Sequence, residues 1–402
     1  MRLAVIVGAA ALLAGCGGGA APTSSSTTTT PAPPTSTTAN TVSVVVNAGP
    51  DNIEAANELF VSVTICVPGT SDCQTIPDVV VDTGAEGFRV LSSELSLSLP
   101  QETSSGGAPL GNCIAFADNS YMWGPVVTAD IEMGGEKASS VPIQVVGDPN
   151  FPGVPSSCNT GGQSDDTVAA MGGYATIGVG VFQQDCGPAC AGPISEVPDD
   201  YYSCPSTGCS LASASLSDQL QNPVWMFPTD NNGVMITLPS VPGTGSATVT
   251  GSMNFGIGTQ SDNALGSTQI YTTDDEGNFS TTFNGAAYSN SYIDTGSNGF
   301  FFLSPTVLGI PNCSDAPGFY CPTATQNYTA TNTGANGLSG QVSFSIANAD
   351  ALFDTGDAAF NDLGGSNAGS FDWGLPFFFG RTVYVAIQNQ NTPAGEGPFW
   401  AY

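Results

Sequence analysis

An eleven-residue pattern occurs twice in this chain, 212 positions apart. The first copy runs from Asp82-Thr83-Gly84 through Ala85, Glu86, Gly87, Phe88, Arg89, Val90 and Leu91 to Ser92. The second runs from Asp294-Thr295-Gly296 through Ser297, Asn298, Gly299, Phe300, Phe301, Phe302 and Leu303 to Ser304. Seven of the eleven positions are identical, D-T-G-x-x-G-F-x-x-L-S. Each copy follows a β-type run, Val79-Val80-Val81 and Tyr292-Ile293, and leads into another. One copy per half of the chain implies two related units, each carrying an Asp at the tip of a tight turn between strands. Two such carboxylates brought face to face cannot both ionise, which makes them an acid and a base in one site.

The 402 residues suffice for two domains, and 41% hydrophobic residues supply a core. Acidic residues number 34 against four cations, Arg2, Arg89, Lys137 and Arg381, for a net charge of -30. Such a chain has almost nothing with which to neutralise phosphates, which argues against nucleic acid and anionic membrane surfaces as partners. There is no histidine. Ser-His-Asp and Cys-His catalysis and most zinc sites are thereby excluded. Hydrolysis would have to run on carboxylates, a carboxylate-bound metal, Lys or Tyr. Low charge with few bases suits an acidic medium, where carboxylates become neutral.

Residues 1–15 combine Arg2 with a short apolar run and read as a signal peptide, too short to span a bilayer. Leu13-Ala14-Gly15-Cys16 resembles the lipobox of bacterial lipoproteins. That resemblance implies cleavage before Cys16, lipid on its sulfur, and an exported protein anchored at the outer membrane or cell surface. Residues 16–40 are a Gly, Ser, Thr and Pro tether with no means of building a core. The ten remaining cysteines suggest up to five disulfides in an oxidising compartment. Cys66 with Cys73 and Cys313 with Cys321 are close enough to pair locally. Cys113, Cys158, Cys186, Cys190, Cys204 and Cys209 have many possible connectivities.

From Thr41 onward, short runs rich in β-branched and aromatic residues alternate with Gly, Pro, Asn and Asp. Strands are expected at Thr41–Val46, Leu59–Val67, Val79–Val81, Val126–Met133, Val141–Val146, Val234–Leu238, Ala247–Phe255, Val342–Ile346 and Thr382–Ile387. Ser213–Leu220 is the best helix candidate. No stretch after residue 16 is long enough to cross a membrane as a helix. The expected fold is all-β, with an N-terminal lobe over 41–240 and a C-terminal lobe over 241–402.

The context of the two D-T-G segments resembles the pepsin-like aspartic proteases over most of the mature chain. Trp123-Gly124 through Gly134-Gly135 is similar to the family's flap hairpin and following strand. Ala175-Thr176-Ile177-Gly178-Val179-Gly180 is similar to the segment closing the first lobe around its Asp. Phe377-Phe378-Phe379-Gly380-Arg381 is similar to the second lobe's closing segment. The Gly-Leu-Pro-Phe-Phe-Phe-Gly-Arg style is also shared with a group of bacterial lipoproteins of unknown function. The resemblance implies a bilobal fold with a cleft holding Asp82 and Asp294 as catalytic dyad. It further implies support from Thr83, Gly84, Thr295, Gly296 and Ser297, a flap residue at Tyr121 or Trp123, and lobe-closing glycines Gly178, Gly180 and Gly380. The dyad would act on a peptide or protein substrate as a monomer, with neither cofactor nor metal. Ala85 departs from the family, which usually carries Ser or Thr there.

A third D-T-G, at Asp354-Thr355-Gly356, matches the repeat at five of eleven positions and precedes polar Asn361-Asp362. It is expected to be a loop turn. Asp274-Asp275-Glu276-Gly277-Asn278 offers oxygens to Ca²⁺ but reads first as a solvated hairpin turn. The leading functional expectation is an acid-acting, lipid-tethered aspartic endopeptidase. Its rivals are a non-catalytic binding module on the same scaffold and a carboxylate-pair glycosidase on another β-fold.

Overall fold

The computed structural model describes residues 40–402 except 117, 118 and 160. The expected signal peptide, Cys16 and all but the last residue of the tether lie outside the described residues. The rest is strands with three short α-helices: α1 (Val168–Met171), α2 (Pro305–Leu308) and α3 (Ala349–Phe353).

The first half contributes β1 (Thr41–Val46), β2 (Leu59–Cys66), β3 (Cys73–Asp82), β4 (Glu86–Leu91), β5 (Leu110–Ala115), β6 (Tyr121–Met133), β7 (Glu136–Val146) and β8 (Ala175–Val179). Short strands β9 (Tyr201–Ser203) and β10 (Ser210–Leu211) follow, then β11 (Gly233–Leu238). The second half contributes β12 (Val249–Phe255), β13 (Ile270–Thr272), β14 (Phe279–Phe283), β15 (Ala286–Ile293), β16 (Phe300–Leu303), β17 (Gln326–Thr333) and β18 (Ser339–Ile346). After these come β19 (Gly364–Gly365), β20 (Asn367–Trp373), β21 (Arg381–Ala386), a small β22–β23 hairpin (Asn391–Thr392, Gly395–Glu396) and β24 (Phe399–Ala401).

One seven-stranded sheet belongs wholly to the second half, in the order β18-β17-β14-β15-β20-β16-β19. A fifteen-stranded sheet holds the first half and continues through β1-β12-β11-β21-β24-β13. Strands from both ends of the chain therefore meet in one sheet. The division expected at 240/241 falls in the turn between β11 and β12, which are antiparallel neighbours there.

The two units repeat one local topology. In the first, β3 runs parallel to β8, and β8 pairs antiparallel with β4. In the second, β15 runs parallel to β20, and β20 pairs antiparallel with β16. Each D-T-G turn thus lies in a loop clasped by a strand from much later in the chain. The cores differ in kind. The first is largely aliphatic, built from Val61, Val63, Ile65, Val79, Val81, Ile143 and Ile177. The second is aromatic: Phe302 stacks on Phe371 at 4.8 Å, and Trp373 meets Phe300, Phe344, Phe371 and Phe377.

Ser213–Leu220 is not a helix. Its polar side chains bind backbone instead, Ser213 Oγ donating to Cys190 O and Gln219 Nε2 to Gly187 O and Ala214 O. These mostly long-range bonds give the segment backbone partners that a helix would have denied it. Five disulfides form: Cys66–Cys73 and Cys313–Cys321 as the spacing suggested, and Cys113–Cys158, Cys186–Cys190 and Cys204–Cys209. Among the described residues no helix is long and apolar enough to cross a membrane.

Candidate active site

Asp82 ends β3, and Asp294 follows β15 by one residue. The two turns lock into each other through their threonines. Thr83 N donates to Thr295 Oγ1 at 3.1 Å, and Thr295 N donates to Thr83 Oγ1 at 2.9 Å. Each hydroxyl then donates across the interface, Thr83 Oγ1 to Ile293 O at 3.1 Å and Thr295 Oγ1 to Val81 O at 2.6 Å. Four buried bonds with pseudo-twofold symmetry fix the separation and angle of the loops. Hydroxyls are required, because each must accept and donate at once.

The lock sets the carboxyls side by side, hydrogen-bonded to one another. Gly84 N donates to Asp82 Oδ1 at 2.8 Å and to Asp294 Oδ1 at 3.2 Å. Gly296 N donates to Asp294 Oδ1 at 2.7 Å. The glycines are a steric necessity. A Cβ on Gly84 would lie 2.6 Å from Asp294 Cγ, and one on Gly296 2.8 Å from Asp82 Cγ. Asp82 and Asp294 are 2% and 1% exposed.

Burial pushes the Asp82 carboxyl above the ordinary range; the hydrogen bond from Asp294, the Gly84 N–H, the Arg89 charge and the Ala85 N–H pull it back. Burial raises Asp294 further, and the charges of Asp82 and Asp372 and the hydrogen bond with Asp82 add to it, against the pull of the Gly296 N–H. The environments push the pair apart, so Asp82 takes the negative charge and Asp294 keeps the proton.

The closing strands are as specific. Gly178 pairs with Asp82 on one side and Gly87 on the other. Gly180 N donates to Ala85 O at 2.9 Å. In the second unit the equivalent position is Gly374, not Gly380. Trp373 O accepts from Asp294 N at 3.0 Å, and a Cβ on Gly374 would fall on the carbonyl oxygens of Ser297 and Gly299. Gly380 lies at a turn before β21, with φ of 76° and its N–H on Leu238 O. The Phe-Phe-Phe-Gly run misled because the true closing strand, Asn367–Trp373, is polar at its start and unremarkable in sequence.

Tyr121 and Trp123 lie on β6 beside the turn of the β5–β6 hairpin, paired with Ala115 and Cys113 of β5. Both pack with Tyr202 and the Cys113–Cys158 and Cys204–Cys209 disulfides, and Trp123 Nε1 donates to Pro152 O at 2.9 Å. The alternating pleat sends Met122 to the opposite face, where it shares an apolar cluster with Phe116 and Ala85. Of the three, Met122 is the one that clusters with the first dyad loop.

A cavity of about 320 Å³ adjoins the dyad loops, lined among others by Thr83, Gly84, Glu86, Tyr292, Ser370 and Trp400. Two acids that sequence did not single out bear on the dyad. Glu58, buried just before β2, is raised by burial and by the charge of Asp82. Asp372 on β20 is fully buried. Their only sequence signal was acidity beside hydrophobic runs, shared with many surface acids.

The third D-T-G caps the C-terminus of helix α3 with Asp354, which is exposed. The residues after it bridge the halves instead: Asn57 Nδ2 donates to Phe360 O and to Asn298 O in the second dyad loop, both at 2.8 Å. Asp274 is a turn residue, its Oδ1 accepting from the N–H groups of Glu276 and Asn278.

Residues 36–402 match the model of a family described as protein of unknown function (DUF3443). The chain belongs to the DUF3443 family. No curated protein matches this DUF3443 chain. Among solved structures it is similar to an aspartic proteinase from Irpex lacteus, with a TM-score of 0.50 and 13% identity, covering 90% of this chain and 96% of that one. At that identity the likeness shows the fold: the DUF3443 chain is all-β and bilobal in the pepsin-like manner.

Proposed function

We propose that this protein is an aspartic endopeptidase, exported and held at the outer membrane or cell surface by lipid on Cys16. The observation that carries the reading is the reciprocal Thr83–Thr295 lock, which presents the two carboxyls to one another with unequal proton affinities. In the reaction, ionised Asp82 takes a proton from a water as its oxygen attacks the scissile carbonyl carbon. Protonated Asp294 gives its proton to the carbonyl oxygen. The tetrahedral species collapses: the C–N bond breaks as the proton on Asp82 passes to the leaving nitrogen, and one hydroxyl of the tetrahedral carbon returns its proton to Asp294. The substrate is a peptide or protein, taken by a monomer in an extended form along the cleft. Activity is greatest at acidic pH, where the dyad holds one proton and the 34 acidic residues repel one another less.

A non-catalytic binding role on the same scaffold is favoured by one observation. The hairpin face over the first loop is apolar, Phe116 and Met122 clustering with Ala85, so the first Asp lacks the hydroxyl neighbour the second enjoys. The test is cleavage of a denatured protein between about pH 2 and pH 7 by the disulfide-intact chain, beside Asp82→Asn and Asp294→Asn. Either substitution is expected to lower acid cleavage by about 10²–10⁴-fold. A folded wild type that cleaves nothing leaves the binding role.

A further inference from the structure

Beside Asp294 lies a third carboxyl that the proposed reaction does not use. Asp372 sits on β20 in register with Tyr292 of β15 and Phe301 of β16. It is 0% exposed, and neither Oδ1 nor Oδ2 has a hydrogen-bond partner among the described residues. A carboxyl removed from water without a partner is costly, so its presence calls for a reason. Phe371 and Trp373 flank it on the strand and point into the core. By the alternation of the strand, Asp372 shares the opposite face with Ser370, which lines the cavity. The groups facing it are Tyr292 from β15, Ser297 and Asp294 from the second loop, and Asp82 from the first. Phe301 from β16 is apolar, and none of the described cations is among its charge partners.

We propose that Asp372 is a positioning residue for the dyad, which orients Ser297 against Asp294 and holds the shared proton on Asp294 through its own charge. The proposal rests on the endopeptidase reading of the site. Ser297 Oγ donates to Asp294 Oδ2 at 2.9 Å, which leaves its lone pairs to accept. Burial and the charge of Asp82 keep Asp372 neutral well above the usual carboxylate range, while Ser297 opposes them. A neutral Asp372 has an O–H to give, and Ser297 is the hydroxyl in reach. The chain Asp372 to Ser297 to Asp294 orients the proton-bearing carboxyl. Once Asp372 ionises, its charge opposes a second charge on the dyad. The three acids then titrate as one unit, and the last dyad proton leaves at a higher pH than two acids alone would allow.

The test is the pH profile of kcat/KM for wild type, Asp372→Asn and Asp372→Leu. The Asn variant keeps the shape and a donor but has no charge. Its alkaline limb is expected to move to lower pH by about one unit. Asp372→Leu is expected to move the limb in the same direction and to lower kcat as well; should it fail to fold, the Asn variant decides. A purely structural role would scale activity at every pH and leave the limb in place, and an unmoved limb in folded Asp372→Asn overturns the proposal. A wild type without activity overturns the endopeptidase reading instead. The shift is then read on the carboxyl carbons of Asp82 and Asp294 by ¹³C NMR titration. Movement to lower pH in Asp372→Asn supports the assignment, and superimposable curves sink it.

Discussion

The first dyad loop carries Ala85, Glu86 and Arg89 where the second carries Ser297, Asn298 and Phe301. Their backbones are clasped alike, by β8 in one case and β20 in the other. Their electrostatics are opposite. Arg89 is buried, donates to Glu86 O at 2.7 Å, pairs with Asp185 at 3.3 Å, and lends positive charge to Asp82. Among the described residues no cation serves the second loop in this way; its neighbour is the buried acid Asp372. A shared backbone motif therefore gives two identical side chains different proton affinities, and the difference resides in the variable positions and in the closing strands. A symmetric site would have no preferred acid and no preferred base.

The clasp itself gives the largest effect by which this comparison can be broken. Gly374→Ala is expected to cost about 3 kcal/mol, since its Cβ meets backbone that cannot retreat. Gly380→Ala should cost about 1 kcal/mol, mostly from its left-handed φ, since its Cβ would come no nearer than 3.3 Å to Ser240 Cβ. Urea unfolding of the two variants checks the order, and the reverse order would restore Gly380 as the closing residue.

The lock comes next. Thr83→Val and Thr295→Val each remove one hydroxyl that accepts one bond and donates another, leaving buried backbone groups unpaired. Each is expected to cost about 2 kcal/mol, with the double variant losing less than the sum because the bonds are shared. Additive losses in a double-mutant cycle would mean that the loops are held independently.

The smallest effect sharpens the chemical asymmetry. Ser297→Ala gives the second loop the side chain of the first and removes the donor that favours ionised Asp294. Loss of a hydrogen bond to the charged form raises a carboxyl's proton affinity, so the alkaline limb of the activity profile should move upward by about half a pH unit. That direction is opposite to the shift expected for Asp372→Asn. A downward shift in Ser297→Ala would mean that Ser297 donates to the base form of another group.

Legibility in sequence was uneven, and the two halves show why. Strands of the first half announce themselves through Val and Ile at positions such as Val79–Val81 and Val141–Val146. In the second half, between residues 256 and 381, only Val342–Ile346 and the Tyr292-Ile293 run stood out. There β14, β15, β17 and β20 are written in Thr, Ser, Asn and Gly. Such residues occupy strands when one face is wet, but they signal turns equally well. Local disulfide pairs were readable from spacing; Cys113–Cys158, separated by 45 residues, was not.

By itself the sequence determined the repeat, and with it the two turns, the Asp at each tip, and the Thr and Gly that only such a turn requires. Those features are local, set by backbone geometry within a few residues, and so they survive in the one-dimensional record. The tertiary structure alone decided which glycine clasps the second loop, which face of the β5–β6 hairpin packs with the first loop, and which buried acids share the field of the dyad. Each of these depends on strand register between residues tens of positions apart, where a shift of one residue exchanges the faces. Charge acts through space and ignores chain order, so Arg89, Glu58 and Asp372 became part of the site only when folding brought them to it.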